Sequence, residues 1–139
     1  MATVIRAEIS SKNKYWIDKH RHYELKHFCL QYPSWKKAYH ALDGAQLPSS
    51  VAERIPSTNI PSDPTAKCVM LKDQYLKRIR IVEEAAMEAD DLLHDYILKA
   101  VTEGLSYTYL QTVLAIPCSR DTYYDRYRKF FWLLSKARD

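Results

Sequence analysis

Apolar side chains recur at three- and four-residue spacing in the last third of the chain, on both sides of one break. This pattern predicts one helix over about 106–114 and a second over about 119–136. Ser119 is a residue type that caps helix N-termini, and Pro117 in the break cannot lie inside a helix. A helix, a tight turn and a longer helix are the layout of a helix-turn-helix.

The second helix has one apolar stripe when its residues are placed at about 100° intervals. The stripe consists of Tyr123, Tyr127, Phe130 and Leu134, with Phe131 at its margin. We expect it to pack against Leu110, Val113, Leu93 and Ile97. The opposite face carries Asp121, Asp125, Arg128 and Trp132, with Arg120 and Tyr124 beside it.

That outer face has the long polar side chains that a DNA-reading helix needs in its first turns. Asp121 and Asp125 fit less well, because carboxylates repel phosphate, although a carboxylate can accept a hydrogen bond from cytosine. An ordinary amphipathic helix that closes a helical core would give the same pattern. The candidate DNA-binding residues are Ser119, Arg120, Thr122, Tyr124, Arg128 and Lys129.

The rest of the chain divides into three regions. Residues 1–43 predict two helices, over 10–32 and 34–42, separated near Pro33. Residues 44–66 contain four prolines and are typical of a linker or a long loop. Residues 67–139 hold the remaining helices. A long helix is expected from Asp63 as N-cap to about Ala89.

A third helix, over 92–101, completes a three-helix C-terminal unit. Its apolar positions are Leu93, Ile97, Ala100 and Val101. Asp90 and Asp91 either break the long helix before it or lie within one continuous helix, and periodicity alone does not decide between these.

Composition agrees with an all-α fold, since the 139 residues include only two glycines. The chain has no run of about 18 apolar residues and no signal peptide, so we expect a cytoplasmic protein without a membrane segment. The three cysteines are widely spaced and predict free thiols in a reducing compartment.

The net charge of +4 is concentrated at the two ends of the chain. Residues 1–40 contain eight lysines and arginines against three acids, and residues 104–139 contain six against three. The stretches 41–66 and 67–103 are each acidic. Basic ends favour a polyanionic partner, although an excess of this size is also common on a solvated surface.

We predict neither an enzyme nor a metal or cofactor site. The sequence contains no phosphate loop, no His-Glu-x-x-His motif and no nucleophile elbow. His20, Glu24 and His27 would share one helix face at ligand-like spacing, but no further ligand is visible to complete a site.

The order of these features resembles the small phage transcriptional regulators of the RinA/ArpU type. The matching stretches are Gln31-Tyr32-Pro33, Ser62-Asp63-Pro64-Thr65, residues 76–83 and residues 116–129. The resemblance covers most of the chain in layout. It implies a long central helix and a C-terminal domain similar to the last DNA-binding region of sigma factors.

With this resemblance we predict a phage or mobile-element transcriptional regulator that reads double-stranded DNA through residues 119–128. A single module of this size binds weakly, so we expect a homodimer on a palindromic site or assistance from RNA polymerase. The alternative is a helical protein–protein module of phage origin that binds polymerase, a packaging component or a host factor and does not read DNA. The target sequence and the sign of regulation are open.

Overall fold

The computed structural model describes residues 13–42 and 64–139. Every regular element in these residues is a helix, which confirms the predicted all-α fold class. In chain order the helices are α1 (Lys19–Leu30), α2 (Tyr32–Leu42), α3 (Pro64–Ala89), α4 (His94–Glu103), α5 (Tyr107–Thr112) and α6 (Arg120–Ala137). The described chain forms two compact units, one of residues 13–33 and 80–139, the other of residues 34–42 and 64–79.

The core of the first unit lies where α1 and α4 pack against α6. α4 also contacts α5. The predicted stripe of α6 is buried, including Phe131 at its margin. The largest fully buried side chains of this unit are Tyr123, Phe130, Phe131, Leu25, Ile97, Leu110 and Leu134.

The prediction that Val113 joins this core is wrong, because its side chain is 59% exposed. α5 ends at Thr112, and Val113 lies at its C-cap. The three other expected partners of the α6 stripe, which are Leu110, Leu93 and Ile97, are buried as predicted.

The first helix begins at Lys19, so the prediction of a helix over 10–32 is wrong for residues 13–18. The Asp18 side chain accepts a hydrogen bond from the His20 amide at 3.0 Å. This bond caps α1 and stops the helix from extending further toward the N-terminus. His22 is buried, and its ring centroid lies 4.8 Å from that of Phe131.

Arg21 joins the start of α1 to the end of α6. Its guanidinium donates from Nε to Ser135 Oγ and from Nη2 to the Ser135 carbonyl oxygen, each at 3.0 Å. It also pairs with Glu24 and Asp139, each at 2.7 Å. The planar guanidinium can satisfy these acceptors together because its donors point in fixed directions.

A turn that begins at Asp90 separates α3 from α4. The two helices are therefore not one continuous helix, an alternative that periodicity left open. Asp90 Oδ1 accepts hydrogen bonds from the amides of Leu92 and Leu93 at 2.8 and 3.0 Å. Its Oδ2 lies 3.2 Å from Arg126 Nε on α6. One carboxylate therefore holds the turn and pairs with the helix that packs beneath it.

The second unit consists of residues 34–42 of α2 and residues 64–79 of α3. Cys68 Sγ donates a hydrogen bond to the Leu42 carbonyl oxygen at 3.4 Å, and Lys72 Nζ lies 5.5 Å from the ring centroid of Tyr39. Its buried apolar side chains are Trp35, Leu42, Leu71, Tyr75 and Ile79.

The predicted proline-rich loop over 44–66 falls outside the described residues except for 64–66, which already belong to α3. The expected N-cap Asp63 is also outside them. Within the described part of the chain, no helix has both the length and the apolar character needed to cross a bilayer.

Candidate nucleic-acid interface

The first turn of α6 is held in place by its own N-cap. Ser119 Oγ accepts a hydrogen bond from the Thr122 amide at 3.2 Å and donates to Thr122 Oγ1 at 3.1 Å. The Thr122 hydroxyl accepts this bond and keeps its own proton for another acceptor. Both residues are exposed, so the helix N-terminus faces solvent.

The turn before α6 is closed by two hydrogen bonds. The Tyr107 hydroxyl donates to the Cys118 carbonyl oxygen at 2.7 Å, and the Ile116 amide donates to the Leu110 carbonyl oxygen at 3.0 Å. Ala115 has a φ of 54°, which lies in the left-handed region. These contacts fix the direction in which α6 leaves the turn.

Arg120 lies at the exposed start of α6. Its Cζ atom is 5.3 Å from the ring centroid of Tyr107, a distance typical of a cation–π contact. Such a contact uses the face of the guanidinium and leaves its N–H donors in the plane. Arg120 can therefore donate to a phosphate or a base edge while the tyrosine ring orients it.

The side chain of Tyr124, which we expected to point to solvent, is only partly exposed. It is half-buried, and its ring centroid lies 5.0 Å from that of Tyr123 and 5.8 Å from that of Tyr127. Tyr124 therefore belongs to an aromatic cluster and presents only part of its surface.

Arg128 and Lys129 are also half-buried. Arg128 Nε is buried and meets no hydrogen-bond acceptor among the described residues. Buried donors of this kind usually have a partner. The structure thus brings Ser119, Arg120 and Thr122 together at an exposed helix start, whereas the other three candidates are partly covered.

The two acids of the outer face have different surroundings. Asp121 is exposed in the first turn, where the helix dipole favours a negative charge. Asp125 Oδ2 lies 3.2 Å from Arg126 Nη1, so a neighbouring cation offsets its charge. Asp121 is therefore the carboxylate that most opposes an approaching phosphate.

Periodicity did not show that the outer face of α6 is partly covered near its C-terminal end. The Tyr15 ring meets the Trp132 ring at 5.5 Å in an edge-to-face arrangement, and Lys136 Nζ lies 3.4 Å from the Trp132 centroid. Lys14 Nζ lies 5.0 Å from the Tyr15 ring, which adds positive charge beside this cover. The segment carrying Tyr15 is not helical, so no repeat in the sequence indicated the contact.

Comparison with protein-family models, curated protein sequences and solved structures finds no match to this chain. Among residues 13–42 and 64–139, no group of three or more histidine, cysteine or acidic side chains is arranged to hold a metal ion.

Proposed function

We propose that this chain is a DNA-binding transcriptional regulator of a phage or mobile element, and that the start of α6 enters the DNA major groove. The observation that carries the proposal is the division of α6. Ser119, Arg120 and Thr122 are exposed at its start, while Tyr123 and Phe130 anchor it in the core. A recognition helix needs this combination of a rigid support and free polar side chains.

In this proposal the candidate residues make different kinds of contact with DNA. Ser119 and Thr122 meet a backbone phosphate at the helix N-terminus, where amides and dipole favour an anion. Arg120 donates to a base edge or a phosphate. Arg128 and Lys129, just over two turns further along α6, add positive charge along the groove. Lys14 and Lys19 extend the basic surface.

The test is fluorescence anisotropy with labelled duplex DNA from upstream of the protein's own coding sequence. We expect the Arg120→Ala/Arg128→Ala double variant to bind at least about tenfold more weakly than wild type, and its salt dependence to be shallower by about one unit per lost phosphate contact. Measurements between about 50 and 200 mM salt give this slope.

The charge-matched control is Arg78→Ala/Arg80→Ala, which removes two exposed arginines from α3. If this control weakens binding as much as the α6 variant, net charge rather than the α6 face controls affinity. Absence of binding by wild type at low salt would reject the proposal.

A protein-interaction module is the second candidate, and one observation favours it. Tyr109 and Val113 are 43% and 59% exposed, and they lie four residues apart, so they share one side of α5 and its C-cap. Exposed tyrosines are frequent anchors in protein interfaces. A Tyr109→Ser/Val113→Ser variant that binds DNA normally but loses association with RNA polymerase would support a combined role.

A further inference from the structure

The first unit contains a cleft of about 390 Å³ that the proposed function does not use. Its walls come from α1, the C-terminal part of α4, the turn over 104–106 and the buried side of α6. Pockets that bind small organic molecules have volumes of roughly 300–1,000 Å³ and mainly apolar walls. The cleft therefore has the size of a small-molecule site.

One side of the cleft is a continuous aromatic wall. Tyr123, Tyr124, Tyr127 and Phe131 all line it. Successive rings lie 4.9 to 5.9 Å apart in tilted or edge-to-face arrangements. Aromatic rings pack well against other aromatic rings in these geometries, so the wall favours a flat aromatic ligand over an aliphatic one of the same size.

The described residues that line the cleft include a single charged side chain. That side chain is Lys26, and it is half-buried. Nowhere in the described chain does a carboxylate pair with Lys26. Its ammonium group can therefore receive an anion, and none of the described residues that line the cleft is an acid that would oppose that anion.

We propose that this cleft binds a small aromatic carboxylic acid. The carboxylate pairs with Lys26 Nζ, and the ring packs against Tyr124, Tyr127 and Phe131. The hydroxyl-bearing residue Ser106 lies at the same cleft and adds a polar group for a ring substituent. This binding step does not depend on whether the protein reads DNA.

The location of Tyr124 means that a bound ligand should affect DNA binding. This step rests on the proposed function. Tyr124 lines the cleft and also lies one turn after Arg120 on α6. A ring packed against Tyr124 shifts the preferred position of that side chain. The acid would thus act as an effector of the regulator.

The test uses 2-naphthoate as the probe, at up to about 5 mM, with the full chain and without DNA. Calorimetry gives the affinity, and amide chemical-shift mapping gives the location. We expect shifts in residues of the cleft. We expect 2-naphthamide, which lacks the charge, to bind about tenfold more weakly, because a hydrogen bond to a charged group is lost.

Lys26→Met keeps an unbranched apolar side chain, shorter by one atom, and removes the charge. It should weaken naphthoate binding about tenfold, whereas Lys77→Met, at an exposed lysine of α3 outside the cleft, should leave binding unchanged. Leu30→Trp places a larger side chain at the rim, where Leu30 is 39% exposed, and should block the cleft without disturbing the core.

Equal affinity for the acid and the amide, equal effects of the two lysine variants, or shifts outside the cleft would overturn the proposal. If the chemical shifts of the cleft residues changed with protein concentration alone, the cleft would bind a second copy of the chain. This result would also overturn the proposal. Naphthoate binding by a protein that binds no DNA would reject the proposed function and leave the ligand site standing.

Discussion

The Tyr107 hydroxyl donates a hydrogen bond to the Cys118 carbonyl oxygen at 2.7 Å, and this bond links the first residue of α5 to the residue before the α6 cap. The same tyrosine ring lies beneath the guanidinium of Arg120. One side chain thus connects the geometry of the turn to the most exposed cation of the candidate interface.

Tyr107→Phe should remove the hydrogen bond and keep the buried ring. We expect the free energy of unfolding to fall by about 1 kcal/mol, because the Cys118 carbonyl oxygen loses its partner. Urea unfolding measures this. The control is Tyr109→Phe at an exposed position, which should change stability by less than about 0.5 kcal/mol. Equal effects of the two variants would show that the hydroxyl bond does not stabilise the turn.

Ala115→Gly should stabilise the protein. Ala115 has a φ of 54°, and its side chain is exposed, so glycine relieves left-handed strain without removing a core contact. An L-residue in this region costs about 1–2 kcal/mol, partly offset by the greater freedom of glycine in the unfolded chain. Thermal unfolding should show a higher midpoint, while Ala137→Gly, near the helical end of α6, should lower it or leave it unchanged. A lower midpoint of thermal unfolding for Ala115→Gly would show that the backbone at Ala115 is not strained.

Asp90→Ala should cost about 1–2 kcal/mol more than Asp90→Asn. Asparagine keeps an oxygen that can accept from the Leu92 and Leu93 amides, whereas alanine removes both hydrogen bonds. The two variants lose the ion pair with Arg126 equally, so their difference isolates the turn. If chemical unfolding gives the same stability for both, the carboxylate acts only through its charge.

Asp121→Asn should raise the affinity for nonspecific duplex DNA more than Asp125→Asn does. Asp121 is exposed, whereas the charge of Asp125 is already offset by Arg126 at 3.2 Å. We expect a gain of about threefold for Asp121→Asn at low salt, which should shrink as salt screens the charge. Anisotropy titrations of both variants measure the difference. A larger gain in affinity for Asp125→Asn would show that Asp125, rather than Asp121, is the carboxylate that most opposes phosphate.

Stability should fall as the pH rises above about 9. Burial raises the pKa of the Cys29 thiol well above its ordinary value of 9.0, against a smaller lowering by Arg138. The unfolded chain then loses a proton that the folded chain retains, so the free energy of unfolding falls by about 1.4 kcal/mol per pH unit for this group.

The Cys29→Ala variant isolates that contribution. Between about pH 9 and 10 its stability should depend on pH less steeply than that of wild type, by about half a proton at first and approaching one proton as the pH rises. Burial followed by the Glu83 carboxylate also raises the pKa of Tyr32, and this adds to the slope in both proteins at higher pH. Identical slopes for the two proteins would show that the Cys29 thiol ionises in the folded state.

The N-terminal end and the buried face of α6 were predictable from the sequence because local chemistry decides them. Ser119 caps α6, Pro117 interrupts the chain before it, and Gly104 adopts the left-handed conformation that ends α4. The apolar spacing of Tyr123, Tyr127 and Phe130 likewise determines which face of α6 is buried, since a helix turns by a constant angle.

Contacts between segments distant in the chain were decided only by the tertiary structure. Trp132 is covered by Tyr15, Arg126 meets Asp90, and Lys26 joins a cleft with Tyr124. Each contact depends on how separate helices approach one another. Helical periodicity states which side of a helix turns inward, but it contains no information about which distant side chain will meet the outward one.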